Sequence, residues 1–314
     1  MEDLSAWRAA ALPAFYYTSF FVAACAIPVG RHALDRGFQV LGRRWLPRKG
    51  VSAAAAALTF TKWREACWRM TTYGVLTALG VATCVGEPWI RDPALLWAGW
   101  PLRQTHSSLI QFWYAVEFGL YLYSVADLLL WEASRGDYYA MLLHHASTLL
   151  LLFGSFSYAF LRVGAIILMI NDFVDLWFEG AKLAKYAARE NMSTAFFLAF
   201  VASWAWLRQV YCPFFMIRSM LLDAWGLVAQ FGPTPRHVAI YATFNALVIV
   251  LQILHSYWFF FLLQKIKLTV SISVSIKVVD RRPGVEVEPR AAAIQPIVTP
   301  ALQMNTAATL LEEE

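Results

Sequence analysis

This sequence carries little charge for its length. Only 15% of its 314 residues are Asp, Glu, Lys or Arg, whereas a soluble domain of average composition carries about 25%. Hydrophobic residues make up 59% of the chain, and they are clustered in long runs with almost no charge. This pattern excludes an ordinary soluble domain and indicates helices that span a membrane.

Cysteine is also scarce, and its spacing carries no signature. None of the four cysteines forms a CxxC or similar pair, and three of them lie in or beside apolar runs. We therefore interpret them as small buried hydrophobic residues, and neither disulfides nor a metal site is expected. The net charge of +5 is modest, and the basic residues lie in short segments between apolar runs. That placement is typical of membrane topology, so no nucleic-acid partner is expected.

The apolar runs predict the architecture, because a membrane helix needs about 20 mostly apolar residues. About seven runs qualify, so the chain is predicted to be an all-α polytopic membrane protein. They cover roughly Leu12–Val29, Trp68–Val85, Leu109–Trp131, Tyr139–Tyr158, Leu161–Ala181, Thr194–Leu222 and His237–Leu263. The fourth and fifth runs are so close that a sharp turn must fall near Ala159.

Basic residues predict the orientation, because Lys and Arg concentrate in cytosolic loops. Eight of them lie between Arg31 and Arg64, which places that segment in the cytosol together with the C-terminus. The tail at residues 269–314 mixes β-branched residues with prolines, and we expect most of it to be disordered.

Ionisable residues inside membrane helices are costly and mark functional sites. His144 and His145 lie in the fourth run, and Asp172, Asp175 and Glu179 lie in the fifth. The spacing of the acids, i, i+3, i+7, puts all three on one helix face. The midpoint between His144 and Asp175 falls at the predicted turn, so the histidines and the aspartates are expected at one depth, on the cytosolic half of the membrane.

This set of residues suits acyl transfer. A neutral imidazole can deprotonate an amine or attack a thioester, and a nearby carboxylate can orient the imidazole. A metal site ranks lower, because adjacent histidines point about 100° apart, whereas helical metal sites favour i, i+3 or i, i+4. The isolated His106, His237 and His255 are interpreted as structural.

The residues from His144 to Tyr186 resemble the longevity-assurance (ceramide synthase) branch of the TLC-domain family, of the plant or fungal type without a homeobox-like insert. The resemblance rests on the histidine pair, on Arg162-Val163-Gly164, on Asp172 and Asp175, and on Glu179, Lys182, Lys185 and Tyr186. Weaker likenesses lie at Lys62-Trp63-Arg64-Glu65 and at Tyr211-Cys212-Pro213-Phe214.

The resemblance implies a fold and a set of segments. Residues 62–268 would form a six-helix TLC barrel in the endoplasmic reticulum membrane. Residues 1–61 would precede it with one further helix and a basic cytosolic loop, and residues 269–314 would form the tail.

The resemblance also implies an activity, the N-acylation of dihydrosphingosine or a related sphingoid base by a fatty acyl-CoA. The acyl-CoA is a substrate and no cofactor is expected, while a homo-oligomer is left open. His144, His145, Asp172 and Asp175 would be catalytic, and substrate binding is assigned to Arg162, Asn171, Glu179 and Tyr158. The segment Asp223–Arg236 would bear on acyl-chain length.

The chain departs from the family pattern in two places. Asn171 stands where the family usually has a histidine, and an amide cannot carry a proton at neutral pH. The family's Ser-Tyr aligns with Ser155-Phe156, while Ser157-Tyr158 follows at a different helical angle.

Two alternative functions stay open at this point. One is a non-catalytic TLC protein that is translocon-associated or lipid-sensing, although such a protein has no need to keep His144, His145 and both aspartates in the membrane. The other is a proton-coupled carrier, which would call for inverted repeats that the sequence does not contain.

Overall fold

The computed structural model describes residues 14–47, 52–100, 104, 106–131, 136–230 and 232–280, without the side chains of residues 14–17, 93, 131 and 270–280. Over the described residues the chain forms seven long helices and no strand, which confirms the all-α prediction. The helices are α1 (Ala14–Trp45), α2 (Ala53–Cys84), α3 (Ser108–Trp131), α4 (Tyr138–Ser157), α5 (Leu161–Tyr186), α6 (Glu190–Gln230) and α7 (Pro235–Asp280). Two 3₁₀ turns, Pro88–Ile90 and Pro93–Leu96, follow α2.

Several helices run past the apolar segments that predicted them. The helix α1 continues to Trp45 through basic residues that were assigned to a loop, and α2 begins at Ala53, where the Ser52 hydroxyl accepts a hydrogen bond from the Ala55 amide. A hydropathy pattern locates the part of a helix that lies in lipid. It does not predict how far the helix continues into polar sequence outside the lipid. The helix α7 likewise includes residues 269–280, which were assigned to the tail. Residues 281–314 lie outside the described residues.

Three helices in the described part of the chain are long and apolar enough to cross a membrane. They are α4, α6 and the part of α7 that ends at Thr269. Each carries large apolar side chains that point outward, such as Leu150, Leu198 and Ile253, all more than half exposed. Apolar side chains on the outside of a helical protein are favourable in lipid and unfavourable in water. The molecule is therefore a helical membrane protein.

The predicted turn between the fourth and fifth segments is confirmed. The helix α4 ends at Ser157 and α5 begins at Leu161. Ala159 adopts a left-handed conformation with φ of 58°, and the Phe160 amide donates to the Ser155 carbonyl at 2.8 Å. This is a helix end with a left-handed residue that is usually glycine. The turn reverses the chain so that α4 and α5 run in opposite directions.

The helices pack in an order that differs from their order in the sequence. Each helix contacts the next around a closed ring, in the order α2, α5, α6, α7, α4, α3 and back to α2. The helix α1 packs on α3 and α2. Away from their shared turn, α4 and α5 make few close contacts. Their polar residues therefore meet across an interior space that the other helices help to enclose.

Candidate active site

A polar cavity between the helices is lined by both adjacent histidines and by all three acids of the predicted set. His144 and His145 reach it from α4, and Asp172, Asp175 and Glu179 reach it from α5. We call it the histidine cavity. The structure thus brings together residues that the sequence placed at one depth, although α4 and α5 do not pack closely there.

Four aromatic rings surround His144. Its ring centroid lies 5.5 Å from those of His145 and Trp258, 5.7 Å from that of His255 and 6.3 Å from that of Tyr121. Its Nδ1 atom is buried, and no hydrogen-bond partner reaches it from the described residues. A buried imidazole nitrogen of this kind is available to a bound ligand.

The two histidines open onto different neighbouring spaces. His145 also lines a polar cleft with Arg31, Glu65 and Asp127, which lies between α1, α2, α3 and α4. His144 also lines an apolar cavity, whose other walls come from α3 to α7 and from Trp97 and Trp100, which follow the second 3₁₀ turn. Adjacent residues on a helix project about 100° apart. The pair therefore stands at the junction of a polar cleft, the histidine cavity and an apolar cavity.

The apolar cavity continues from the histidine cavity, because Tyr121, His144, Asn171 and His255 line both. Hydrophobic side chains form most of the remaining wall: Leu151, Leu152, Leu168, Met220, Leu227, Phe244 and Val248 are among them. Such a wall suits a hydrocarbon chain, and the shared residues place its inner end at the imidazole of His144.

Arg208 of α6 brings a positive charge to the site, whose lining also includes Arg69 of α2. Its Nη2 lies 2.9 Å from Oδ2 of Asp175 and donates to the Asn171 carbonyl at 2.9 Å, and its guanidinium stacks over the Trp204 ring at 4.6 Å. The sequence placed Arg208 only inside a helix. It lies in a stretch of wide π-type turns, Trp204–Ile217, and such turns are frequent at functional sites.

Asn171, which departs from the family pattern, also lies at this junction. Its Nδ2 donates to the Ile167 carbonyl at 2.7 Å, one turn earlier in α5. Its Oδ1 atom is buried, and no donor from the described residues reaches it. An amide oxygen can accept a hydrogen bond from a substrate but cannot take its proton, so any proton transfer must use the neighbouring groups.

Glu179 already has a partner inside the protein. Its Oε1 lies 2.5 Å from Nζ of Lys182, one turn later in α5, and both side chains are buried. The Lys182 ammonium also lies over the Phe178 ring at 4.4 Å. An ion pair within one helix neutralises the charge of Glu179. The assignment of Glu179 to substrate binding stays a prediction, and a substrate would have to compete with Lys182 for its carboxylate.

Arg162 and Tyr158 lie away from the histidine cavity. Arg162 Nη1 donates to the Leu95 carbonyl at 2.8 Å, and the side chain lines a separate small cavity with His106. Burial, with a smaller contribution from the Arg162 charge, lowers the pKa of the His106 imidazole to about 4. The Tyr158 carbonyl accepts from Trp100 Nε1 at 2.8 Å, and its ring packs on Phe244. In this structure both residues connect the turn between α4 and α5 to the chain at Leu95 and Trp100.

Sequence reasoning missed three residues near the histidines. It treated His255 as structural, placed Arg208 inside a helix without a role, and did not single out Glu117 of α3, which is fully buried. The cost of an ionisable group in a membrane helix would have marked all three. Nothing in the sequence, however, indicated that α3, α6 and α7 approach the same point. Among the described residues, no group of three or more potential ligands is arranged to hold a metal ion.

The fold and the cavity define an all-helical membrane protein with a buried imidazole–carboxylate site. Residues 62–264 match the TLC domain family, and the chain belongs to that family. It is similar to Ceramide synthase LOH2 of Arabidopsis thaliana, with 34% identity over 213 residues that cover 67% of this chain and 70% of the relative.

Two further relatives extend the comparison. Alternaria stem canker resistance protein 1 of Solanum lycopersicum is 30% identical over 273 residues, which cover 83% of this chain and 88% of the relative. Ceramide synthase 5 of Mus musculus is 31% identical over 206 residues, which cover 66% of this chain and 48% of the relative.

Proposed function

We propose that this protein is a ceramide synthase, which transfers a fatty acyl group from acyl-CoA to the amine of a sphingoid base such as dihydrosphingosine. One observation carries the proposal: His144 and His145 stand where a polar cleft and an apolar cavity meet beside Asp172 and Asp175. Both substrates are amphiphiles, so their reacting groups must meet at such a polar–apolar junction. The ceramide synthases among the relatives support the same reaction.

Each part of the acyl-CoA fits a different side of the junction between the polar cleft and the apolar cavity. The hydrocarbon chain lies in the apolar cavity, and the thioester lies beside His144 at the inner end of that cavity. The CoA portion leaves through the polar cleft past His145. Residues Ala224, Leu227 and Val228, within the segment expected to bear on acyl-chain length, line the apolar cavity and support that expectation.

Two routes connect the histidines to the product. In one, an imidazole nitrogen attacks the thioester carbonyl, the carbon–sulfur bond breaks, and CoA leaves as the thiol with the imidazole proton. The amine then displaces the imidazole, which regains a proton from the amine. In the other, the imidazole takes the proton from the amine while the amine attacks the thioester directly; the carbon–sulfur bond then breaks, and the imidazolium returns that proton to the CoA thiolate. Asp175, held by Arg208, stabilises positive charge on the imidazole in either route.

The membrane arrangement belongs to the same proposal. Helices α2 to α7 form a six-helix barrel over residues 62–268, α1 lies beside it, and all seven helices cross the endoplasmic reticulum membrane with the C-terminus in the cytosol. The closed order of helix contacts supports the barrel. The basic residues at the end of α1 support a cytosolic position for the polar cleft.

The test is a reconstituted assay with purified protein, fatty acyl-CoA and dihydrosphingosine. We expect ceramide and free CoA in equal amounts, and we expect His144→Ala and His145→Ala each to lose activity by at least about a hundredfold. His106→Ala is the matched control, because that imidazole lines neither the polar cleft nor the two larger cavities, and it should keep activity. Full activity in both cavity variants, or no ceramide from well-folded wild-type protein, would overturn the proposal.

A further inference from the structure

Glu117 is a fully buried acid for which neither route above has a use. It lies in the middle of α3, with none of its surface exposed, and its Oε1 accepts a hydrogen bond from Trp113 Nε1 at 3.0 Å. Asp172 of α5 is nearly as buried, with 2% of its surface exposed. The two helices bring these carboxyl groups together, and Asp172 is the member that lines the histidine cavity.

The carboxyl groups of Glu117 and Asp172 lie within hydrogen-bonding reach of each other. An ionised carboxylate can only accept hydrogen bonds, so a bond between two carboxyl groups requires a proton on one of them. Within the described part of the chain, no N–H or O–H donor reaches Oε2 of Glu117 or Oδ2 of Asp172. A proton shared between the side chains provides the missing hydrogen-bond donor. It also removes the repulsion between two buried negative charges.

The strongest contributions from the surrounding charged groups do not balance two negative charges on the pair. Asp175 and Arg208 act most on Asp172, and Arg208 is already paired with Asp175 at 2.9 Å; Arg69 also lines the histidine cavity but is not among the main contributors. Around Glu117, the contributing groups are Asp172 and the Trp113 indole. One negative charge on the pair is therefore the state that this environment accommodates.

We propose that Glu117 and Asp172 form an acid–carboxylate pair that holds one proton, and that Glu117 is a positioning residue for Asp172. The shared proton sets both the orientation and the charge of the carboxyl group that faces the histidines. Glu117 lines none of the cavities described above, so it would act on the site through Asp172.

The pair has a consequence for the proposed acyl transfer, and this part rests on the proposed function. A sphingoid base reaches the protein mostly as an ammonium ion, so one proton must leave its nitrogen before the nitrogen can attack. The unprotonated carboxylate of the pair can take that proton, which leaves a neutral amine and two carboxylic acids. The pair returns to one proton when the extra proton passes through the histidine cavity and past His145 to water in the polar cleft.

Infrared spectroscopy of the resting protein tests the shared proton without any turnover. A protonated carboxyl group gives a C=O stretching band that ionised carboxylates lack, and the band shifts in D₂O. We expect the band in the wild-type protein and its loss in Glu117→Gln, because a glutamine N–H can donate to an ionised Asp172 in the same geometry. Asp172→Asn should also lose the band, since its amide can donate to an ionised Glu117.

Glu179→Gln is the matched control, because Glu179 is a buried acid in α5 whose charge is paired with Lys182; its spectrum should keep the band. A wild-type spectrum without the band would overturn the inference, as would a band that persists in both Glu117→Gln and Asp172→Asn. These readouts do not depend on substrate, so they are separate from a failure to form ceramide.

Discussion

Gly164 of α5 is a position where a single methyl group should disturb both packing and the apolar cavity. A Cβ atom placed there would lie 1.9 Å from Oη of Tyr114 and 3.1 Å from its Cζ. Tyr114 is fully buried, and its hydroxyl donates to the Leu161 carbonyl at 3.2 Å. The ring cannot swing into lipid, so Gly164→Ala must displace the hydroxyl by more than an ångström and break that bond.

The expected cost follows from these contacts. Overpacking a buried site costs about 1–3 kcal/mol, and the lost hydrogen bond adds about 1 kcal/mol. The better helix propensity of alanine returns about 0.5–1 kcal/mol. We therefore expect Gly164→Ala to destabilise the protein by about 1–3 kcal/mol. Both residues line the apolar cavity, so the shifted ring should also reduce activity with long acyl chains.

Tyr114→Phe provides the rescue, because it removes the atom that the new methyl group would strike. By itself it should cost about 1 kcal/mol for the lost hydrogen bond. In the double variant the closest contact is the ring carbon at 3.1 Å, so the double variant should be more stable than the sum of the single effects by at least about 1 kcal/mol.

Thermal unfolding of the detergent-solubilised variants measures these differences. Gly226→Ala in α6 is the control, because a Cβ atom at Gly226 meets nothing within 4 Å, and we expect it to be neutral or slightly stabilising. Additive effects of Gly164→Ala and Tyr114→Phe, or an equal loss in Gly226→Ala, would refute the steric reasoning.

Two further predictions concern the site. Arg208→Met removes the ion-pair partner of the Asp175 carboxylate. We expect the protein to be destabilised by about 2–3 kcal/mol. This is less than for a fully buried pair, because the Asp175 side chain is 28% exposed. Adding Asp175→Asn should recover part of that loss in thermal unfolding, and a double variant no more stable than Arg208→Met would contradict the ion pair. His255→Phe keeps the ring packing on Trp204 and Trp258 but removes the nitrogens of a ring whose centroid lies 5.7 Å from that of His144. It should lower kcat by about tenfold, or 1.4 kcal/mol, with little change in the melting temperature, and an unchanged kcat would return His255 to a structural role.

The sequence predicted the helical architecture well, for a physical reason. The free-energy cost of burying charge in lipid forces long apolar runs, and every long helix of the described residues covers all, or all but one or two, of the residues in one of the predicted segments. The ends were less predictable: α1 and α2 extend beyond their apolar parts, because hydrogen bonding along the helix continues into polar sequence.

The candidate site was predicted in part. Helical periodicity placed Asp172, Asp175 and Glu179 on one face, and the turn near Ala159 placed the two aspartates level with the histidines. The partners of those acids were not predictable, because Arg208 and Glu117 come from helices that the sequence could not place beside α5. Arg162 and Tyr158 entered through the resemblance, and the structure puts them at the turn, away from the histidine cavity.

Local rules along the chain thus determined which segments are helical, where the chain reverses, and which polar residues share a helix face. Those properties depend on backbone periodicity and on the cost of burying charge, and both can be read from neighbouring residues. Only the tertiary structure decided that α5 lies between α2 and α6, that His255 faces His144, and that Glu117 meets Asp172. Contacts between distant segments depend on how whole helix surfaces fit together, and no local pattern in the sequence records that fit.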